Sequence, residues 1–99
     1  MEVQVQAIRF NADQELISFV KERINKLNVF YDQIIDSEIY LRLDKSNVNQ
    51  NKIVEIKLNI PGKELFAKKQ CKSFEEATDE TIDALRRQLK KHKGKLLVK

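Results

Sequence analysis

The stretch from Val54 to Lys72 constrains the fold more than any other part of the chain. Apolar and polar side chains alternate through its first half, the apolar ones being Val54, Ile56, Leu58 and Ile60. A period of two is typical of a strand with one buried face. Pro61-Gly62 then predicts a turn, and Leu65 and Ala67 begin a return strand that runs to about Lys72. The stretch therefore predicts a β-hairpin with one apolar face.

Two earlier stretches alternate in the same way and predict two more strands. Their apolar positions are Val3, Val5 and Ala7 in the first and Ile39, Leu41 and Leu43 in the second, which runs from Glu38 to Leu43. The polar, Asn-rich run from Asp44 to Lys52 predicts a loop between the second strand and the hairpin.

Two other stretches repeat apolar residues at helical spacing. The first helix is predicted from about Asp13 to Asn28, and Asn11 with Gln14 has the spacing of a capping box at its start. The second is predicted from Phe74 to Lys93, with Ser73 and Glu76 as its capping box and Gly94 as its C-terminal stop. One arc of this second helix carries Phe74, Thr78, Thr81, Ile82, Leu85, Leu89 and His92.

The predicted element order is β-α-β-β-β-α, and 99 residues suffice for one modest core. Each strand has one apolar face and each helix one apolar stripe. The economical packing is an α+β fold in which both helices cover one face of a four-stranded, mostly antiparallel sheet.

Charge is distributed unevenly along the second helix. Residues 74–83 carry five acids and no base, whereas residues 84–99 carry seven bases and no acid. Acids near a helix start and bases near its end complement the helix dipole, but dipole matching is exhausted within about one turn. The bases here extend over more than two turns, which favours a polyanion, and nucleic acid above all, as the partner. They are Arg86, Arg87, Lys90, Lys91, Lys93, Lys95 and Lys99.

The first helix carries three bases of its own, Lys21, Arg23 and Lys26. If the two helices lie side by side, these residues join the basic end of the second helix in one surface.

Nothing in the sequence indicates an enzyme, a cofactor, a metal site or a small-molecule substrate. His92 lies among lysines that disfavour a bound metal cation and falls on the apolar arc, so we interpret it as a partly buried helix-end residue. Cys71 has no activating partner and is interpreted as a packing residue. The five acids at the start of the second helix are interpreted as a solvated face.

The single cysteine, the absence of a basic-apolar leader and the absence of an apolar run of about 20 residues predict a cytosolic protein that does not bind membranes.

The C-terminal segment resembles one known family. Ala84-Leu85-Arg86-Arg87-Gln88-Leu89-Lys90-Lys91-His92-Lys93-Gly94-Lys95-Leu96 is similar to the end of the second helix in the ribosome hibernation-promoting factors, the YfiA-like ribosome-associated inhibitors. Phe74-Glu75-Glu76-Ala77-Thr78-Asp79 partly matches the family's helix opening, with Thr78 where an aliphatic residue is usual. Lys26-Leu27, Phe30-Tyr31-Asp32 and the hairpin around Pro61-Gly62 also resemble the family.

The resemblance implies a non-enzymatic factor that binds ribosomal RNA of the small ribosomal subunit near the decoding centre. It would block the messenger RNA and transfer RNA sites of idle ribosomes, as a monomer when off the ribosome. The chain is similar to the short form of the family, which lacks a C-terminal dimerisation domain. Carried over by position, the RNA-binding residues are Arg86, Arg87, Lys90, Lys91, Lys93 and Lys95, with Lys21, Arg23 and Lys26 as additional candidates.

Two alternatives remain open at this point. A double-stranded-RNA-binding module has the same α-β-β-β-α order, but its lysines cluster at the start of the last helix, where this chain has Glu75 and Glu76. A protein-interaction domain whose basic helix end docks on an acidic protein is the other.

Overall fold

The computed structural model describes residues 1–46 and 49–97, and the elements follow the predicted order. The strands are β1 (Glu2–Ala7), β2 (Asp36–Leu43), β3 (Lys52–Ile60) and β4 (Lys63–Cys71). The helices are α1 (Gln14–Phe30), between β1 and β2, and α2 (Phe74–Leu97), after β4. The predicted α+β class is confirmed.

The four strands form one sheet in the order β1-β2-β3-β4. β1 pairs with β2 in parallel, because α1 carries the chain back across the sheet, and the other two pairings are antiparallel. The alternation of each strand sets the register, since a slip by one residue would turn its apolar face to solvent. One row of facing apolar residues crosses the whole sheet: Val5, Ile39, Ile56 and Ala67.

The predicted hairpin is confirmed between β3 and β4. Ile60 pairs with Lys63 across the two-residue turn, in which Gly62 has φ of 76°. A proline followed by a residue with positive φ is the pattern of a type II turn. Cys71 pairs with Lys52 at the far end of the hairpin, so β4 forms along its whole length despite the weak strand propensity of Lys68-Lys69-Gln70.

Both helices lie on the same face of the sheet and run in the same direction. Phe10, just before α1, stacks on Phe74 at the start of α2, with ring centroids 5.2 Å apart. At the other end, Phe30 at the end of α1 contacts Lys93. The core between helices and sheet includes Val20, Ile24 and Leu27 of α1 and Leu85 and Leu89 of α2, all fully buried.

The N-terminal cap of α1 differs from the prediction. Asp13, not Asn11, is the cap: its backbone is extended, and its Oδ1 accepts a hydrogen bond from the backbone N–H of Leu16 at 2.8 Å. The helix also continues past Asn28 to Phe30, where the N–H of Tyr31 donates to the carbonyl of Leu27 at 2.7 Å. The Asn11 prediction was wrong because Asp13 is an equally good cap two residues closer to the apolar stripe.

The predicted start of α2 is confirmed, and its predicted end was wrong. The N–H of Glu76 donates to Ser73 Oγ at 3.1 Å, as an N-cap requires. Gly94 does not stop the helix, which continues to Leu97. Gly62 is the one glycine with positive φ, and a C-terminal stop depends on that conformation. A glycine permits a left-handed turn without forcing it.

None of the helices in residues 1–46 and 49–97 combines the length and the apolar composition that crossing a lipid bilayer requires.

Candidate nucleic-acid interface

The last turns of α2 form a cationic ridge, here called the basic end. Because α2 has 24 residues, it is about 36 Å long at 1.5 Å per residue. At 100° per residue, Arg86, Lys90 and Lys93 lie on the flank of α2 that faces α1, and Arg87 and Lys91 lie on the other flank. The basic end consists of Arg86, Arg87, Lys90, Lys91 and Lys93. The side chain of Lys95 and the whole of Lys99 lie outside the part of the chain that is described.

Phe30 orients two of these cations. The Lys93 Nζ lies 4.8 Å from the centroid of the Phe30 ring and 3.4 Å from the Phe30 carbonyl oxygen, to which it donates. The Arg86 guanidinium carbon lies 6.0 Å from the same centroid. A cation over an aromatic face is attracted by the ring quadrupole. The end of α1 therefore holds Arg86 and Lys93 in place.

The remaining three cations of the basic end have no such partner. Arg87, Lys90 and Lys91 are exposed, and among the described residues no carboxylate lies within ion-pair distance of them. They project from a rigid helix, so little conformational entropy of the backbone is lost when they meet a ligand. Their arrangement suits the neutralisation of several phosphates along an irregular surface.

The three bases of α1 are placed differently from one another. Lys26 lines a groove between the helices that Arg86 and Arg23 also line, together with Asp79 and Asp83. Within the described residues Lys26 has no ion-pair partner, so its charge adds to the basic end. Arg23 is drawn towards the acidic part of α2: its Nε lies 3.7 Å from Asp79 Oδ1, and its guanidinium carbon lies 4.6 Å from the Phe19 ring centroid. Lys21 is about 160° from Arg23 around the helix axis. The structure thus brings Lys26 to the basic end and places Lys21 on the opposite flank of α1.

The acids at the start of α2 are all exposed to solvent. Glu75 and Glu76 lie in the first turn, where a negative charge stabilises the helix dipole. Asp79 pairs with Arg23, and Asp83 lies 3.8 Å from the Arg86 guanidinium, one turn along the same helix.

Cys71 and His92 have the packing roles expected of them. The Cys71 thiol is buried, and its Sγ lies 3.3 Å from Glu80 Oε2. Burial and the neighbouring Glu80 carboxylate raise the pKa of Cys71 to about 11, which keeps the thiol protonated and unreactive at neutral pH. His92 is half-buried and meets the Tyr31 ring edge-on, with centroids 6.2 Å apart.

The role of Phe30 could not be read from the sequence. Its neighbours Arg86 and Lys93 lie more than fifty residues away in the chain, and only the packing of α1 against α2 determines which of their turns meet. An aromatic residue at the end of an amphipathic helix is the one available signal, and it does not identify the partner.

Comparison with known proteins places the chain among ribosome-associated proteins. A family model described as "Sigma 54 modulation protein / S30EA ribosomal protein" matches residues 3–97. The chain is 33% identical over 95 residues to the ribosome hibernation promoting factor of Pseudomonas putida, covering 96% of this chain and 89% of that protein. It is 37% identical over 78 residues to the ribosome hibernation promoting factor of Klebsiella oxytoca, covering 79% of this chain and 78% of that one.

A solved structure has the same fold. The ribosomal subunit interface protein from Coxiella burnetii superposes with a TM-score of 0.85 over 95% of this chain and 99% of that one. The two sequences are 20% identical, so this likeness supports the architecture alone.

Proposed function

The chain belongs to the sigma 54 modulation protein / S30EA ribosomal protein family, and from this premise we propose that it is a ribosome hibernation factor. It binds the ribosome and holds it inactive without catalysing a reaction. Two relatives that cover most of its length are named ribosome hibernation promoting factor, which supports this function.

The proposed ligand is ribosomal RNA of the small subunit, and one observation carries this part of the proposal. Arg87, Lys90 and Lys91 project from the basic end without an ion-pair partner among the described residues. Phosphate oxygens are the partners that such cations lack, and binding gains free energy from the counterions released. Recognition of this kind depends on the shape and charge of the RNA and not on its sequence.

Inhibition is proposed to be steric. The domain is an elongated body with a longest dimension of 48 Å, and α2 runs through most of that length. A rigid body of this size placed near the decoding centre occupies space that messenger and transfer RNA otherwise fill. It acts as a monomer in the cytosol and requires no cofactor, small-molecule substrate or membrane.

The test is a charge reversal on the solvent flank of the basic end. The variant Arg87→Glu with Lys91→Glu should lose co-sedimentation with small ribosomal subunits, because both residues change from attracting phosphate to repelling it. Its unfolding free energy should stay within about 0.5 kcal/mol of the parent, as is usual for exposed positions. The matched control compares Lys91→Glu with Lys72→Glu, which makes the same change in charge at an exposed lysine just after β4, at the opposite end of the sheet from the basic end.

The control should still co-sediment and should still inhibit cell-free translation, with saturation near one molecule per ribosome. Inhibition should weaken when messenger and initiator transfer RNA are bound first. Retained co-sedimentation of the folded Arg87/Lys91 variant would refute the RNA-binding assignment. Full inhibition at far fewer molecules than ribosomes would refute the steric mechanism and indicate an enzyme.

A further inference from the structure

A second group of cations lies at the opposite end of the sheet from the basic end. Arg9, Arg42 and Lys45 surround a shallow recess whose other lining residues are Ile8 and Leu43. We call these five residues the strand-end recess. Arg9, Arg42 and Lys45 are all exposed, and Leu43 retains 40% of its accessible surface.

The parallel pairing of β1 and β2 brings these residues together. Ala7 pairs with Leu41, and the N–H of Ile8 donates to the Leu41 carbonyl at 2.8 Å, so the chain leaves both strands at the same edge. Arg9 then has φ of 62°, a left-handed conformation that costs free energy for most residues other than glycine and asparagine. Such a conformation persists where the surrounding structure imposes it, and it is enriched at functional positions.

Two acids from the strands and loop beside the recess, Glu55 and Asp44, have other partners. Glu55 pairs with Arg42, whose Nε and Nη2 lie 3.2 and 3.3 Å from the two carboxylate oxygens, and with Lys68 at 4.0 Å. Asp44 accepts hydrogen bonds from the N–H and the hydroxyl of Ser46, at 3.0 and 2.6 Å. Its second oxygen accepts from Gln70 at 2.8 Å.

The remaining cations of the recess are therefore available to a ligand. Arg9 and Lys45 have no ion-pair partner within residues 1–46 and 49–97. Glu55 holds the Arg42 side chain in a fixed orientation beside them.

We propose that the strand-end recess is a second RNA-binding site, in which Arg9 and Lys45 contact backbone phosphates and Leu43 packs against a ribose or base. This inference rests on the proposed function, because it takes the same ribosomal RNA as the ligand. RNA is favoured over an acidic protein because a nucleotide combines a charged phosphate with apolar ribose and base surfaces. The Arg9 guanidinium and the Lys45 ammonium can bind the phosphate, and Leu43 offers an apolar contact. Contacts at both ends of an elongated domain would fix its orientation on the ribosome.

Substitutions in the recess test the proposal through salt dependence. The slope of log affinity against log salt is negative, and Lys45→Gln should make it shallower by about 0.8. Arg9→Asn with Lys45→Gln should make it shallower by about 1.5, because each phosphate contact contributes roughly 0.7–0.9 to its magnitude. Asparagine is chosen at position 9 because it tolerates the left-handed conformation. Lys72→Gln is the matched control, since Lys72 is an exposed lysine at the same end of the sheet but outside the recess. Its slope should equal that of the parent.

A second measurement identifies what covers the recess. Lysine-selective acetylation of the complex with small subunits should show Lys45 protected and Lys72 reactive. Protection of Lys45 with an unchanged salt slope would overturn the RNA assignment in favour of a protein contact. An unprotected Lys45 would overturn the site altogether. If the recess fails these tests while the Arg87/Lys91 variant still loses binding, only the second site is refuted. The proposed function is refuted by a different result, which is retained binding by the Arg87/Lys91 variant.

Discussion

The two halves of α2 carry opposite charges and use them in different ways. In the first half, residues 74–83, the charges act on the protein itself: Glu75 and Glu76 complement the helix dipole, and Asp79 and Asp83 meet Arg23 and Arg86. In the second half, residues 84–97, three exposed cations have no acidic partner among the described residues.

This difference separates charges that support the fold from charges that remain available for a ligand. The sequence alone shows acids in the first half of the helix and bases in the second, and it does not show which of these charges have partners in the folded protein. Contacts distinguish them, because Asp79 of the acidic half pairs with Arg23 of α1, whereas Arg86 and Lys93 of the basic half meet the Phe30 ring of α1. We therefore expect changes in the first half of α2 to affect stability and changes in the second half to affect binding.

Salt should have the largest effect, and it should act on binding far more than on stability. About five phosphate contacts by the basic end give a log–log slope on the order of −4, so affinity for the small subunit should fall by roughly 250-fold between 50 and 200 mM salt. Contacts in the strand-end recess would steepen this slope. The acidic half depends on exposed pairs worth at most about 1 kcal/mol each, so the unfolding free energy should change little over the same range. Equilibrium binding and urea unfolding at matched salt concentrations measure the two quantities.

A binding slope near zero would remove the distinction between the halves, because it would mean that the unpaired cations do not meet phosphates. If added salt greatly lowered the unfolding free energy and hardly lowered affinity, the charges of α2 would act mainly on the fold and not on a ligand.

Periodicity was sufficient to predict the order of the elements and most of the core. Val54, Ile56 and Leu58 are buried as their alternation predicts. Two predicted boundaries were misplaced. Asn11 was chosen as the cap of α1 although Asp13 satisfies the same capping rule, and Gly94 permits a left-handed turn that the chain does not take. The assignment of basic residues to a common ligand stays a prediction. The sequence could not show that Lys26 joins the basic end while Arg23 turns to Asp79, because these outcomes depend on how α1 and α2 pack.

The next effect is smaller and concerns two threonines in the acidic half. Thr78 and Thr81 are both fully buried. The Thr81 hydroxyl donates to the Ala77 carbonyl at 2.6 Å, whereas within the described residues the Thr78 hydroxyl has no partner. Thr81→Val should therefore lower the unfolding free energy by about 1 kcal/mol, and Thr78→Val should raise it by a similar amount, because it replaces an unpaired buried hydroxyl by a methyl group.

The two variants are matched controls for each other, since the substitution, the helix and the burial are the same. Both should bind small subunits as the parent does, which would confirm that this half of α2 serves the fold. Destabilisation by Thr78→Val would mean that the Thr78 hydroxyl has a partner. Weaker RNA binding by either folded variant would mean that the acidic half also contributes to the RNA-binding surface.

The smallest effect is expected from removing charge at the start of α2. Glu75→Gln and Glu76→Gln should each lower the unfolding free energy by about 0.3 kcal/mol, at the weak end of the dipole effect because both side chains are exposed to solvent. Affinity for the small subunit should stay the same or rise slightly, since each variant removes one negative charge that repels RNA phosphates. Arg87→Gln with Lys91→Gln is the reciprocal variant, and it should leave stability unchanged while weakening binding. Urea unfolding and subunit binding are measured for each of the three variants. If the glutamate variants lose affinity, the acidic half contributes to the RNA-binding surface as well, and α2 carries one continuous interface in place of two halves with separate roles.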